Sequence, residues 1–159
     1  MKNLRTVAAL ICVAFCGITA SAQNPDHAPL NEPNRNKPSL FSNLPDQIPV
    51  SIDYLNTFFD SPSGKTFNLV TGTDRNSLSF EGRVISSESK YNDALKSVVV
   101  RSTNFNGATF TVSKYTDETG TVTYSGRIIS MQHGDAYELK TIDGNLILVK
   151  RKFHSLINE

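Results

Sequence analysis

The chain has 159 residues, and its 16 lysines and arginines nearly balance its 15 aspartates and glutamates. This balance offers no electrostatic reason to bind nucleic acid, and the length fits one domain with its own hydrophobic core. Both cysteines, Cys12 and Cys16, lie close to the N-terminus, so the rest of the chain has to be stable without disulfides.

Residues 1–22 have the features of a Sec-type signal peptide. Lys2 and Arg5 precede an apolar stretch at residues 7–18, and small residues ending at Ala22 form an A-x-A-like cleavage site. The apolar stretch is shorter than the roughly 20 residues that span a bilayer, so we expect no membrane span after cleavage. The pattern predicts export to the periplasm or the medium.

A proline-rich segment follows the predicted cleavage site. Residues 23–39 contain four prolines, and Leu30 is their only large apolar residue. Because such a segment buries too little apolar surface to offset its loss of conformational entropy, it is predicted to be a disordered linker. The remaining residues, 40–159, are expected to form a single β-rich domain.

The predicted domain begins with a short amphipathic helix. Ser51 is a suitable N-cap, and Ile52, Leu55, Phe58 and Phe59 recur at helical spacing after it. We expect this apolar face to pack on the sheet as a lid, since short helices gain most of their stability from such packing. A helix that binds a partner is the alternative.

An internal repeat dominates the rest of the chain. The octapeptide SFEGRVIS at residues 79–86 recurs as TYSGRIIS at residues 123–130, with four positions identical and three conservatively replaced. In each copy the octapeptide is followed by two further strand-like runs separated by a glycine-containing turn. The sequence therefore predicts two similar three-strand units, at about residues 77–115 and 121–152.

Alternating apolar and polar residues predict β-strands after the helix. Seven strands are expected, at residues 66–71, 77–86, 97–103, 108–115, 121–131, 136–142 and 146–150. The dipeptides Asn106-Gly107 and Asp143-Gly144 are typical of tight hairpins, which join antiparallel neighbours. Gly82 and Gly126 take the same inward position in the two copies, which indicates sharp bending or a close approach of another backbone.

The predicted fold class is therefore all-β. We expect an antiparallel meander of six to seven strands built from the two three-strand units, with the short helix at its N-terminal side. Periodicity fixes which residues face inward but does not fix closure. A small curled barrel and a sandwich both remain possible at this point.

Two arginines are the first candidates for a binding site. Arg83 and Arg127 occupy matching outward positions in the two copies, and Arg101 and Lys140 are expected on strands beside them. A pair of arginines on a sheet can fork onto a carboxylate or a sulfate. The alternative is that these arginines form cross-strand pairs with Glu81 or other acids.

Two aromatic residues are further candidates. Tyr91 lies in the longest predicted loop, residues 86–96, and Phe105 precedes the turn at Asn106 and Gly107. Exposed aromatic side chains at loop tips can anchor a bound partner. The alternative is that both rings fold back over the ends of the sheet.

His133 and Asp135 lie close together in a predicted tight turn, where they could form a general base. A hydrolase also needs a nucleophile or a metal and an oxyanion donor, and no motif for them is visible. With His133 and His154 the remaining domain histidines, a His-rich metal site is excluded. We therefore predict no catalytic residue, metal or cofactor, although enzymatic activity stays open through a small hydrolase centred on His133 and Asp135.

Several of these features resemble those of short secreted β-domain proteins of Bacteroidetes-type bacteria, a group with no established activity. The shared features are the signal ending at residues 21–23, the LPDQIPV segment at residues 44–50, the two G-R-[VI]-I-S strands and the C-terminal LINE at residues 156–159. The resemblance implies a Gram-negative envelope setting and carries over no functional residue. A further similarity, in residues 82–84 and 97–100, links the chain to the β-rich propeptides of secreted metallopeptidases.

The sequence thus favours an exported, non-catalytic β-domain that binds an envelope protein or an extracellular ligand. Besides the small hydrolase, a peptidase inhibitor or propeptide-like module is an alternative. We expect a protein partner in the cell envelope and no nucleic acid. The sequence leaves the oligomeric state open.

Overall fold

The computed structural model describes residues 37–72 and 77–156, apart from the side chain of His154. The predicted signal peptide and most of the predicted linker lie outside the described residues. The helices in the described part of the chain lack the length and hydropathy that a transmembrane helix requires.

One antiparallel sheet of eight strands forms the body of the structure and curls into a half-barrel. The strands are β1 Gln47–Val50, β2 Thr66–Thr71, β3 Leu78–Lys90, β4 Leu95–Ser102, β5 Ala108–Thr116, β6 Val122–Ser130, β7 Asp135–Ile142 and β8 Asn145–Lys152. Their order in the sheet is β1-β8-β7-β6-β5-β4-β3-β2. Strands β2 to β8 therefore form a continuous meander, and β1 pairs with the last strand.

Alternation of apolar and polar residues places the core inside the curl. Along β2 and the first half of β3 buried and exposed residues alternate strictly, as expected for strands with one covered face. The ring of Phe67 lies 6.2 Å from that of Phe80 and 5.8 Å from that of Phe110, both nearly edge-on, an arrangement that aromatic rings prefer. These three rings, all fully buried, occupy the interior beside aliphatic side chains from the other strands.

The predicted helix is confirmed as α1, Ile52–Phe59, and it closes one end of the half-barrel. The Ser51 side chain accepts a hydrogen bond from the backbone N–H of Tyr54, which satisfies one free donor of the first turn. Phe58 and Phe59 are buried, and the Phe58 ring lies 4.2 Å from the ring of Phe67. The helix therefore acts as the expected lid on the core.

An N-terminal arm, residues 37–46, closes the opposite end. Phe41 on this arm is fully buried, with its ring 5.4 Å from that of Phe105 and 5.1 Å from that of Tyr137. Lys37 Nζ donates a hydrogen bond of 2.7 Å to the carbonyl oxygen of Met131. Residues 37–39, predicted to belong to the disordered linker, are thus part of the folded domain.

Three features of the sheet differ from the prediction. It has eight strands, because the four-residue β1, which contains Pro49, carries too short a pattern to be recognised. Strand β3 continues through its polar end to Lys90, and β4 begins at Leu95, so the predicted long loop is a tight hairpin turn. A bulge at Ile85 interrupts the pairing of β3 with β4. The sequence left a small curled barrel and a sandwich possible, and the observed half-barrel resembles the curled barrel.

The two glycines at matching repeat positions lie where neighbouring backbone comes close. A Cβ atom on Gly82 would lie 2.5 Å from the carbonyl oxygen of Arg101, and one on Gly126 would lie 2.7 Å from that of Thr111. Both distances are shorter than any real contact of such atoms. Each position therefore needs glycine, as the sequence indicated.

Candidate functional site

Arg83 and Arg101 form a pair of like charges on the outer face of the sheet. They are cross-strand partners on β3 and β4, and both are exposed. Among the described residues neither guanidinium has a carboxylate within 4.0 Å. Because like charges directly opposite one another destabilise a sheet, this pair needs an explanation.

A shallow groove of about 270 Å³ runs beside Arg83 and is lined also by Thr66, Asn68, Glu81 and Thr103. The groove thus offers a guanidinium, hydroxyls and an amide to a bound group. Its one acid, Glu81, lies two residues before Arg83 on the same face of β3.

The backbone beside the arginines is held by side-chain hydrogen bonds. Asn104 Oδ1 accepts a bond of 3.0 Å from the backbone N–H of Glu81. Ser102 Oγ donates a bond of 3.0 Å to the carbonyl oxygen of Glu81. These bonds tie the β4–β5 turn to β3, so the strand that carries Arg83 is fixed before any ligand arrives.

Arg127 lies in different surroundings from Arg83, although the repeat places them equivalently. Two strands, β5 and β4, separate β6 from β3, so Arg127 and Arg83 do not lie on neighbouring strands. Arg127 faces Glu138 on β7, where Arg83 faces Arg101 on β4. Arg101 therefore lies beside Arg83 as expected, and the structure does not bring Arg127 to a neighbouring strand.

Glu138 is already engaged by two other cations. Its Oε2 lies 3.1 Å from Lys140 Nζ and 3.2 Å from Arg151 Nε. A depression of about 320 Å³ lies between this residue, Arg127 and Leu156 of the 3-10 turn Phe153–Leu156. Arg127 thus has an acid opposite it, shared with Lys140 and Arg151, where Arg83 has an arginine opposite it.

Tyr91 lies in the β3–β4 turn with 76% of its surface exposed. Tyr91, Asn92 and Asp93 all have positive φ angles, of 56°, 52° and 67°. Asn and Asp tolerate this left-handed backbone conformation, but other residues besides glycine rarely adopt it, so the cost of roughly 1–3 kcal/mol falls chiefly on Tyr91. The turn is therefore strained at Tyr91, where it exposes an aromatic ring, and strained residues cluster at active and ligand-binding sites.

A cleft of about 390 Å³ lies between this turn and the β5–β6 turn. Its lining includes two tyrosines, Tyr91 and Tyr115, and two acids, Asp117 and Glu118. We call it the tyrosine–acid cleft. Tyr115 is 49% exposed and lies near the C-terminal end of β5.

Asp117 is locked in the β5–β6 turn. Its Oδ1 accepts hydrogen bonds from the Thr119 hydroxyl, at 2.7 Å, and from the backbone N–H groups of Thr119 and Thr121, at 2.9 and 2.8 Å. The Thr119 hydroxyl and then the Thr121 N–H lower the pKa of Asp117, because they stabilise its charged form. The cleft therefore carries a fixed negative charge at neutral pH.

Phe105 lies against the core instead of extending from a loop tip. Its ring stacks on that of Phe80 at 5.9 Å and meets the ring of Phe41 edge-on. The position of Phe105 matches the alternative expectation, in which the ring folds back over the end of the sheet. Any contact of Phe105 with a partner would use the edge of a half-buried ring.

Asp135 holds the N-terminal arm. Only 7% exposed, its carboxylate accepts hydrogen bonds from the hydroxyl of Ser39 and from the backbone N–H groups of Leu40, at 2.6 Å, and Phe41, at 2.8 Å. It opens β7 instead of lying in the turn. Both of its oxygens are occupied by structural partners, so the arrangement does not suit a general base.

His133 contacts a serine instead of Asp135. Its Nδ1 lies 2.8 Å from Ser130 Oγ, but Ser130 is only 1% exposed and its hydroxyl also contacts the carbonyl oxygen of Asn106. A substrate could not reach this hydroxyl. The geometry therefore gives no support to a hydrolase at His133 and Asp135.

Tyr137 is another buried polar group with a structural role. Its hydroxyl donates a hydrogen bond to the carbonyl oxygen of Pro45, which fixes the arm over the core. Burial raises the pKa of this phenol strongly, with further contributions from the charges of Asp46 and Asp135. Tyr137 therefore stays protonated and holds the arm.

Within residues 37–72 and 77–156, no three histidine, cysteine or acidic side chains are grouped as metal ligands would be. Of the residues that line the two sites, Tyr115, Asp117 and Glu118 were missed from the sequence. Alternation along β5 places Tyr115 outward, which could have indicated it. Its nearness to Tyr91 depends on the β3–β4 hairpin, which the sequence pattern did not predict.

Comparison of the chain with protein-family models, curated proteins and solved structures gives no match.

Proposed function

We propose that this chain is an exported, non-catalytic binding domain that recognises an anionic group on an envelope protein or an extracellular ligand. The observation that carries the proposal is the uncompensated cross-strand pair of Arg83 and Arg101. The anionic group would be a carboxylate or a sulfate, bound beside the groove at Arg83.

The energetics of the sheet support this assignment. A like-charge pair directly opposite costs stability, whereas an opposite pair at such positions contributes roughly 0.2–1 kcal/mol. At the matching position of the second repeat, Arg127 has an acid opposite. With Arg101 opposite Arg83, the sheet lacks the stabilisation that an acid at position 101 would supply. Binding of an anion between the two arginines would offset this loss.

The chemistry of the two side chains also suits an anion. Each guanidinium presents a planar set of donors that matches the two oxygens of a carboxylate or sulfate. Neighbouring strands are about 4.8 Å apart, so two such groups can approach one anion from both sides. The half-barrel behind them is packed and closed at both ends, which limits the entropy lost on binding.

A direct titration tests the proposal. The domain from residue 37 to residue 159 would be titrated with a hexaglutamate peptide and with a sulfated oligosaccharide, and binding would be followed by calorimetry at low and moderate salt. We expect at least one probe to bind, with an affinity that falls as salt increases. The Arg83→Gln, Arg101→Gln double variant should lose this binding.

Two matched variants sharpen the result. Arg127→Gln removes an arginine from the same face but a different site, and should bind like the wild type. Glu81→Gln removes the one acid of the groove and should bind the anion more tightly. Loss of binding in Arg127→Gln equal to that in the double variant would point to general surface charge and refute the site.

Affinity capture would then identify the natural partner. The domain and its Arg83→Gln, Arg101→Gln variant would serve as baits for envelope and culture fractions. A protein held by the first bait and missing from the second is the expected result. If that protein is a secreted peptidase, an inhibition assay would follow, because the inhibitor interpretation of the sequence predicts it.

A further inference from the structure

The tyrosine–acid cleft differs in chemistry from the arginine groove. Its two rings are exposed, two carboxylates stand beside them, and no basic side chain is among the described residues that line it. The faces of aromatic rings carry partial negative charge and attract cations. All the charge in this lining therefore favours a positively charged occupant.

The rim of the cleft is built before any ligand binds. The Thr116 N–H donates a hydrogen bond of 2.8 Å to the carbonyl oxygen of Ala94, which joins the two turns. The Ala94 N–H bonds to the carbonyl oxygen of Tyr91 at 3.1 Å and closes the strained turn. In the other turn Asp117 is held by its bonds to Thr119 and Thr121.

We propose that the tyrosine–acid cleft binds a lysine or arginine side chain of a partner protein. The cationic head would lie against the rings of Tyr91 and Tyr115, with the carboxylates of Asp117 and Glu118 beside it. The aliphatic part of the side chain would cover the apolar wall at Ala94. This site is separate from the arginine groove and has the opposite charge preference.

The occupant is chosen by charge complementarity. A neutral saccharide could also use two exposed rings, but it would gain little from two negative charges. An anionic ligand would be repelled by them. A basic side chain uses the rings and the carboxylates together.

The test uses a short peptide of alternating glycine and lysine, and the same peptide acetylated on its lysines. Binding to the domain would be followed through the tyrosine ring signals in NMR spectra. We expect the lysine peptide to shift the signals of Tyr91 and Tyr115. The acetylated peptide, which keeps the length but loses the charge, should bind at least about tenfold more weakly.

Three variants locate the site. Glu118→Gln leaves the turn hydrogen bonds intact and should weaken the peptide about fivefold, the size of one exposed charge contact. The Tyr91→Asn, Tyr115→Thr double variant should lose binding, which calorimetry would measure because the variant lacks the two reporting rings. Asparagine tolerates the left-handed backbone at position 91. Glu88→Gln, an exposed acid outside the cleft, is the matched control and should bind like the wild type.

Three results would overturn the proposal. Equal binding of the lysine and acetyl-lysine peptides would show that binding does not depend on the charge of the peptide. Equal weakening by Glu88→Gln and Glu118→Gln would show that the charge dependence does not arise in the cleft. Binding of a neutral oligosaccharide that depends on the two tyrosines, without any binding of the lysine peptide, would assign the cleft to sugars. None of these results bears on Arg83 and Arg101, so the two sites are tested independently.

Discussion

Thr71 on β2 donates a hydrogen bond from its hydroxyl to the carbonyl oxygen of Pro49 on β1, so the two edge strands of the sheet touch. The carbonyl of Pro49 would otherwise present an unpaired acceptor, and its nitrogen has no proton to donate. Exposed edges invite pairing with other chains. The contact and the proline therefore protect the open side of the half-barrel.

Thr71→Val should remove this protection with little change in shape. We expect a loss of about 1 kcal/mol in the free energy of unfolding, because one hydrogen bond disappears from a site where Thr71 is 8% exposed. Urea unfolding would measure the loss, and light scattering would report whether the variant aggregates more readily. Thr123→Val on β6, an exposed position, is the control and should leave the stability nearly unchanged.

Asp135→Asn tests the anchor of the N-terminal arm. We expect a loss of about 2–4 kcal/mol, since the amide turns a donor toward groups that are themselves donors. The measurement is urea unfolding at neutral pH. Glu88→Gln makes the same type of change at an exposed site and should cost less than about 0.5 kcal/mol. An Asp135→Asn variant as stable as that control would mean that the arm does not depend on this carboxylate.

Gly82→Ala should destabilise the sheet through a backbone clash. The added Cβ would lie 2.5 Å from the Arg101 carbonyl oxygen and 2.7 Å from Val100 Cγ1, so β3 and β4 would have to separate. We expect a loss of about 1–3 kcal/mol. Ser79→Ala, on the outward side of the same strand, is the control for thermal unfolding. A Gly82→Ala variant with wild-type stability would show that the strands can relax at no cost.

Tyr137 predicts how stability depends on alkaline pH. Because burial raises its pKa in the folded state, the folded protein keeps a proton that the unfolded chain releases above its ordinary tyrosine pKa near 10. The stabilisation is complete below that pH and is lost progressively as the pH rises toward the folded pKa. One such group gives a fall of about 1.4 kcal/mol between pH 8 and pH 11.

Tyr137→Phe separates this effect from other titrations. The variant should be about 1 kcal/mol less stable at pH 8, because it loses the hydrogen bond to Pro45. Because the wild type loses about 1.4 kcal/mol by pH 11 and the variant does not, the difference should shrink from pH 10 and be gone by pH 11. Urea unfolding at both values measures it, and a difference independent of pH would contradict the role of the phenol.

Arg101→Glu replaces the like-charge pair with an opposite pair. We expect the free energy of unfolding to rise by about 0.2–1 kcal/mol at low salt and the gain to decrease at high salt. The same variant should no longer bind the anionic probe. A stability gain together with a loss of binding would show that the wild-type sheet gives up stability for recognition. Arg127→Glu, which places two acids opposite each other, is the reverse case and should destabilise.

The sequence predicted those parts of the fold that residues close together in the chain determine. Helix α1 follows from Ser51 and its apolar spacing, and the turn at Asp143 and Gly144 has the positive φ angles that such a dipeptide favours. Long-range contacts were missed. Four residues of β1 carry too little pattern to indicate a strand, and Asp135 resembles a turn residue until the arm, more than 90 positions earlier, is in place.

For the candidate site, too, the sequence predicted local features and missed those that depend on how the strands pair. Alternation showed that Arg83 faces outward, but only the register of β3 with β4 shows that its partner is Arg101 and not Arg127. The polar end of β3 resembled a loop, because a strand exposed on both faces has no hydrophobic period. The tyrosine–acid cleft was therefore hidden, since it depends on where that hairpin turns.

The pairing of β1 with β8 also has a consequence for how the chain folds. Gln47–Val50 leaves the ribosome first among the strands, yet its partner Asn145–Lys152 is synthesised last. Such distant contacts slow folding, because a long loop has to be ordered before they form. An incomplete chain cannot complete its sheet, so we expect β1 to stay unpaired and protease-sensitive until the final strand has emerged.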